Sequence, residues 1–184
     1  MLWRTHVFAG VSTLWLFRLV PGALSPERLP VLTACAALGA LLPDLDASAS
    51  KIRSLSVGGV QPFSPIGEIA HRKWGHRGFL HSPAALLWFG LLLIPMALLW
   101  SLPVALGLWL GFASHLAADA LTPSGIPFRA GSGRRLHLLP RRLWIVTGSD
   151  IEEIVLALLL VSALALVLSV LWGSVSGFAI LPTS

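Results

Sequence analysis

Histidine and aspartate residues that could bind a metal recur at several places along this 184-residue chain. His115 and Asp119 stand about one helical turn apart, so a helix presents both side chains on one face. Imidazole and carboxylate groups together suit Zn²⁺, and Mn²⁺ or Fe²⁺ as alternatives. Several such groups can hold two cations with a bridging carboxylate. A centre of this kind lowers the pKa of bound water and stabilises the negative charge that develops on a phosphoryl or acyl oxygen. The candidate ligands are His6, Asp44, Asp46, His76, His81, His115 and Asp119.

Each part of this set has a plainer explanation when it is taken alone. The alternative for His115 and Asp119 is a hydrogen-bonded pair that links two helices. The two aspartates in Pro43-Asp-Leu-Asp46 would cap a helix or form a turn, and the two histidines before residue 82 would be interfacial. The metal hypothesis therefore depends on whether the chain brings all of these residues to one place.

Four other ionisable residues receive different interpretations. His71 and His137 lie in basic stretches and are predicted to be surface residues. Glu152 fits a capping box that begins three residues earlier, so it is predicted to be structural. The role of Glu153, which follows it, stays open.

The composition indicates a protein that lies in a membrane. Hydrophobic residues make up 55% of the chain and charged residues only 11%, and the mean hydropathy is +0.82. A soluble domain needs far more charge to cover its surface. The single cysteine, Cys35, excludes an intramolecular disulfide and a cysteine-rich metal site. The net charge of +5 is explained by topology and anionic lipid, so no nucleic-acid partner is required.

The apolar segments predict an all-α fold, a polytopic helix bundle of about five transmembrane helices within one integral membrane domain, residues 1–184. Two polar loops, residues 43–82 and 122–149, separate the helices. Ser82 is predicted to cap the third helix, with Pro83 at its first position. The predicted helices cover residues 5–24, 29–42, 83–100, 103–121 and 150–172.

Counting five crossings places the N-terminus and both polar loops on the same side of the membrane. Nearly all arginine and lysine residues fall on that side. The positive-inside rule makes it cytoplasmic, which puts the C-terminus outside. Every candidate ligand also falls on this side, although the helix assignment did not use them.

At these residues the chain resembles the YdjM-like family of inner-membrane, metal-dependent hydrolases. The matching motifs cover roughly two thirds of the chain in the family's order, with Leu80 at a position that is commonly threonine in the family. They are Thr5-His6 with Gly10, Leu42-Pro-Asp-Leu-Asp46, His76-Arg-Gly-x-x-His-Ser82, His115-x-x-x-Asp119 and Leu121-Thr-Pro-x-Gly125.

That family is distantly similar to zinc-dependent phospholipase C and P1 nuclease. This resemblance implies metal ligation by His6, His115 and Asp119, supplemented by His76 or His81. It also implies that Asp44 or Asp46 is a ligand or the general base for the attacking water. The second helical pair of those enzymes, His-x-x-x-Glu, has no counterpart here, so the expectation is two divalent cations.

The expected function is metal-dependent hydrolysis of phosphoester bonds at the cytoplasmic face. The substrate would be a phosphate-containing lipid or a small molecule near the membrane. Catalysis is assigned to Asp44, Asp46 and Arg77, the last as a bidentate phosphate ligand, although topology alone also explains this arginine. The alternative is a non-catalytic membrane binding or scaffold protein with a structural polar or metal site.

Overall fold

The computed structural model describes residues 1–20, 22–56, 58–75, 77–129 and 131–175. Over these residues the chain is a helical bundle, as predicted, with one small antiparallel ribbon that pairs β1 (Ile126–Pro127) with β2 (Arg135–Leu136). The α-helices are α1 (Trp3–Ser12), α2 (Leu29–Leu41), α3 (Phe63–Trp74), α4 (Pro83–Leu99), α5 (Leu102–Ala120) and α6 (Asp150–Val175).

Three helical stretches of the described chain are long and apolar enough to cross a membrane. They are Leu29–Asp46, Leu102–Ala120 and Asp150–Gly173. The apolar helix α4 is shorter, so the predicted count of five spans is not confirmed. Helices α4 and α6 direct large apolar side chains such as Leu99 and Leu158 outward, which is the surface expected against lipid.

The first predicted helix, residues 5–24, differs from the structure. Helix α1 ends at Ser12, and the chain continues as a 3-10 helix over Thr13–Leu19. The Thr13 hydroxyl donates to the carbonyl of Gly10 at 2.6 Å, a side-chain bond that competes with the regular helical pattern. Gly22, with φ of +70°, adopts a conformation that ends helices and favours glycine.

The predicted loop 43–82 contains more regular structure than its composition indicated. Helix α2 is extended by a 3-10 helix over Leu42–Asp46, and the amphipathic helix α3 also lies within the predicted loop. A further 3-10 turn, Phe79–His81, leads into α4. The predicted cap of α4 is confirmed, because the Ser82 hydroxyl accepts from the backbone N–H of Ala85 at 3.3 Å.

Helix α5 lies at the centre of the bundle and packs against α1, α2 and α4. Its approach to α2 is close because both helices have glycine at the contact. A Cβ atom at Gly39 would collide with the carbonyl oxygen of Leu108, and one at Gly111 with that of Ala36. Small residues let the backbones of two membrane helices come into contact. This contact fixes the ends of α2 and α5 relative to each other.

Candidate metal centre

Six of the seven candidate ligands meet at one end of the bundle, and we call them the His/Asp cluster. Four different elements supply them. Helix α1 supplies one residue, the 3-10 helix after α2 two, the 3-10 turn before α4 one, and α5 two. The members of the cluster are His6, Asp44, Asp46, His81, His115 and Asp119.

Three donor atoms form the densest part of the cluster. The Nε2 atoms of His81 and His115 lie 3.3 Å apart. Asp44 Oδ1 lies 3.4 Å from the first of these nitrogens and 3.8 Å from the second. Ligands about 2.0–2.1 Å from a tetrahedral Zn²⁺ are roughly 3.3 Å from one another. The three atoms therefore have the spacing of ligands that share a cation.

Asp119 joins this group to a second one through its two carboxylate oxygens. Its Oδ2 lies 3.8 Å from the Nε2 atoms of both His81 and His115. Its Oδ1 lies 3.4 Å from His6 Nε2 and 3.1 Å from the Met1 amino group. A carboxylate placed in this way can bridge two neighbouring cation sites, and His6, His115 and Asp119 form a second group with ligand spacing.

The histidine rings are oriented from outside the group of donor atoms. His115 Nδ1 donates to the backbone carbonyl of Ala40 at 2.7 Å, which directs Nε2 into the cluster. The rings of His6 and His115 stack at 3.8 Å between centroids. His6 Nδ1 is buried and has no hydrogen-bond partner among the described residues. A hydrogen bond at the opposite ring nitrogen, as His115 has, is typical of histidines that bind metals.

Asp46 occupies a different place from the one that its sequence motif suggested. Its Oδ2 lies 3.4 Å from Nδ1 of His81, on the opposite side of the ring from Asp44. The side chain is fully buried. A carboxylate behind an imidazole orients that imidazole toward a metal rather than binding the metal itself. The geometry thus separates the two aspartates, which the sequence treated as equivalent.

The carboxylates change the electrostatics of His81, which lies outside the membrane-spanning stretches. Burial by itself lowers the pKa of this imidazole, but hydrogen bonds to Asp44 and Asp46, together with the charge of Asp119, raise it to about 9. The carboxylates of the cluster therefore stabilise a positive charge at His81, and they would stabilise a divalent cation in the same way.

The cluster is exposed to its surroundings on one side only. The side chains of His6, His81, His115, Asp46 and Asp119 are at most 2% exposed, whereas that of Asp44 is 25% exposed.

Arg77 lies at this open side and is also 25% exposed, with its Nη2 atom 3.6 Å from Asp119 Oδ2. Its φ of +57° is unusual for a residue other than glycine, and such backbone conformations concentrate at functional sites. Its Nε atom is buried without a hydrogen-bond partner in the described part of the chain.

Three histidines are not members of the His/Asp cluster. His76 lies outside the described residues. His137 stacks on Trp144 in the second polar loop. His71 is exposed, as predicted, but its Nδ1 donates to the backbone carbonyl of Asp46 at 2.7 Å. Sequence reasoning missed this contact, and the only signal for it was the amphipathic pattern of residues 63–74.

Glu152 has the structural role that its sequence context predicted, through a wider network. Its backbone N–H donates to the Ser149 hydroxyl at 3.4 Å, as in a capping box. Its buried carboxylate accepts from the backbone N–H groups of Leu2 and Gly148 and from the Thr5 hydroxyl, at 2.6–2.9 Å. This network ties α6 to the start of α1, next to His6.

Comparisons with known proteins found similar bacterial proteins. Protein YvsG of Bacillus subtilis (strain 168) is 32% identical over 158 residues, which are 85% of this chain and 88% of that protein. The inner membrane protein YdjM of Escherichia coli (strain K12) is 40% identical over 97 residues, and so is its counterpart in Shigella flexneri. These 97 residues are 50% of this chain and 45% of either YdjM protein. No solved structure gave a significant match.

The family described as YdjM inner membrane protein matches residues 1–179, which is nearly the whole chain. This match includes all members of the His/Asp cluster and the three apolar stretches that can cross a membrane. The chain is therefore a membrane protein that belongs to the YdjM inner membrane protein family.

Proposed function

We propose that this protein is a membrane-bound, metal-dependent hydrolase of phosphoester bonds in a lipid or another substrate close to the membrane. One observation carries the proposal: imidazole and carboxylate donors from four elements converge at ligand spacing in a buried cluster that opens beside Arg77. Two divalent cations, zinc in the first place, fit the donor set.

The two cations would share the ligands unequally. His115 directs only Nε2 into the cluster, because Nδ1 is bonded to the Ala40 carbonyl. We assign this nitrogen to the first cation, together with Asp44 and His81. His6 and Oδ1 of Asp119 would hold the second cation, and Asp119 would bridge the two. Bound divalent cations lower the pKa of water and offset negative charge on phosphoryl oxygens.

The chain's own residues would perform the remaining tasks. Asp44 is the only carboxylate of the cluster with substantial exposure, so it can accept a proton from the attacking water in addition to its ligand role. Arg77 would bind the phosphate with two parallel hydrogen bonds. Asp46 would hold the His81 ring in place. The positive-inside rule favours the cytoplasmic face for this site.

Metal content measured by mass spectrometry on detergent-purified protein tests the metal part of the proposal. We expect one to two equivalents of a transition metal in the wild type and in His137→Ala, the matched control. His115→Ala and Asp119→Ala should lose the metal. A wild-type protein that stays metal-free after incubation with zinc and manganese would overturn the proposal.

Turnover of phospholipids and isoprenoid phosphates by the metal-loaded protein tests the hydrolytic part. Arg77→Gln should keep its metal but lose most of its turnover, because the arginine would bind substrate. Loss of metal in this variant, or unchanged turnover, would remove Arg77 from the assigned role.

A non-catalytic protein with a structural metal is the second candidate, and the near-complete burial of five of the cluster's six side chains favours it. A structural site has a closed ligand shell, whereas a catalytic site keeps one position for water or substrate. Cobalt-substituted protein discriminates between them by its visible absorption. A spectrum that changes on adding inorganic phosphate supports the enzyme, and an unresponsive four-coordinate spectrum supports the structural site.

A further inference from the structure

Helix α3 has two different edges, and its inner edge packs against the aspartate segment of the cluster. Gly67 and Ala70 are buried on this edge. A Cβ atom at Gly67 would collide with the backbone carbonyl of Leu45. The backbone of α3 therefore rests on the 3-10 helix Leu42–Asp46 with no side chain between them.

The outer edge of α3 is apolar and faces away from the protein. Ile66 and Ile69, one turn apart on the same edge, are 56% and 65% exposed. Lys73 follows on the edge of Ile66 after two turns and is also exposed. A short helix with isoleucines and basic residues on its exposed surface is typical of helices that lie in the membrane interface.

The charge around this edge is positive. Arg72 is 78% exposed and Lys73 follows it directly, with its ammonium group 4.8 Å from the centre of the Trp74 ring. The only acidic residue of the helix, Glu68, accepts from Arg53 at 3.0 Å and from Arg72 at 2.9 Å, so its charge is compensated. The edge therefore complements an anionic surface.

The position of α3 indicates that the anionic surface is the protein's own membrane. The helix packs against the last turn of Leu29–Asp46, one of the three stretches that can cross the membrane. The end of such a stretch lies at the level of the lipid headgroups. We infer that α3 is an interfacial helix, with Ile66 and Ile69 inserted among the lipids of the protein's own bilayer and Arg72 and Lys73 on anionic headgroups.

Insertion of α3 would also fix the depth of the His/Asp cluster. His71 Nδ1 donates to the carbonyl of Asp46, and Gly67 touches the backbone of Leu45. The helix and the aspartate segment are therefore in direct contact. Anionic lipid would hold the open side of the cluster at headgroup level whether or not the cluster is catalytic.

Spin labelling of the full-length protein in nanodiscs tests the inference. The label is placed at Ile69→Cys in a Cys35→Ala background, and Ser54→Cys, in an exposed stretch before α3, is the control position. In nanodiscs that contain phosphatidylglycerol, the label at residue 69 should collide more often with oxygen than with a water-soluble nickel chelate. The control label should show the reverse preference.

The combined variant Arg72→Gln/Lys73→Gln tests the charge contribution. Each basic residue near an anionic surface contributes about 1 kcal/mol to binding. Removal of both charges should therefore shift the ratio of lipid-inserted to water-exposed states of residue 69 roughly 30-fold. Nanodiscs of phosphatidylcholine alone should produce a similar shift in the unmodified helix. Three results would each overturn the inference. The nickel chelate could reach residue 69 more often than oxygen does in phosphatidylglycerol, or the protein could shield this residue from both reagents. The third is that the insertion of residue 69 stays the same when the two charges are removed.

Discussion

The Nε2 atoms of His81 and His115 lie 3.3 Å apart, although 34 residues separate these histidines in sequence. Both rings are held from behind, one by the Asp46 carboxylate and the other by the Ala40 carbonyl. Neither contact uses the nitrogen that faces the cluster. The fold thus directs two imidazole nitrogens at one point, and the supporting groups are as much part of the site as the donors.

Asp46→Asn should weaken zinc binding without removing a binding site. Because Asp46 contacts His81 from behind, its loss should lower affinity about 10–100-fold, as for other groups that support a metal ligand. Competition with a chromophoric chelator measures this affinity, and Asp150→Asn, at the start of α6, is the control. His81→Ala should instead lose a full equivalent of zinc. A full equivalent lost in Asp46→Asn would make this residue a direct ligand, as its sequence motif suggested.

The stability of the chelator-treated protein should fall as the pH rises from about 6.5 to about 9. The pKa of His81 is raised from 6.5 to about 9 in the folded protein, so its protonation stabilises the fold fully below pH 6.5. This contribution, about 3 kcal/mol, is lost as the pH rises through 9. Thermal unfolding in detergent measures it. Metal-loaded protein and His81→Gln should both lack this loss, and an equal loss in His81→Gln would assign it to another group.

The sequence predicted the convergence of the cluster because two regularities determine it. Apolar stretches of membrane-spanning length set the number of crossings, and each crossing fixes the side on which its flanking residues lie. His6, Asp44, His81 and Asp119 flank the stretches that the sequence predicted to cross the membrane, so they were predicted to share a side, although the count of five crossings is not confirmed. The structure brings them together.

The sequence could not separate the roles of Asp44 and Asp46. Their spacing of two residues is compatible with a turn, a cap or a pair of ligands. Only the position of the His81 ring distinguishes the two aspartates. Helix α3 was missed because Pro62, Pro65 and Gly67 indicate a loop. Packing against Leu45 overrides that local preference, and this contact cannot be read from the sequence.

Glu152→Ala should destabilise the protein by roughly 3 kcal/mol, because it leaves three donors without their charged acceptor. These donors, on Leu2, Thr5 and Gly148, lie 2.6–2.9 Å from the carboxylate. Thermal unfolding in detergent measures the effect. The neighbouring Glu153→Ala is the matched control, since Glu153 is 53% exposed and contacts Arg4 at 3.6 Å. Such exposed ion pairs contribute little to stability, so equal losses in the two variants would contradict the network's role.

Gly111→Ala should disrupt the bundle, and the His/Asp cluster with it. The added methyl group would collide with the Ala36 carbonyl, and neither backbone can yield without separating α5 from α2. Since α5 carries His115 and Asp119 while α2 leads to Asp44, a small separation breaks the ligand spacing. We expect loss of bound metal and a lower unfolding temperature. Gly173→Ala is the control: its Cβ would have no neighbour within 4 Å among the described residues, and alanine favours helix over glycine. If Gly111→Ala behaved like this control, the close contact of α2 with α5 would not determine the geometry of the cluster.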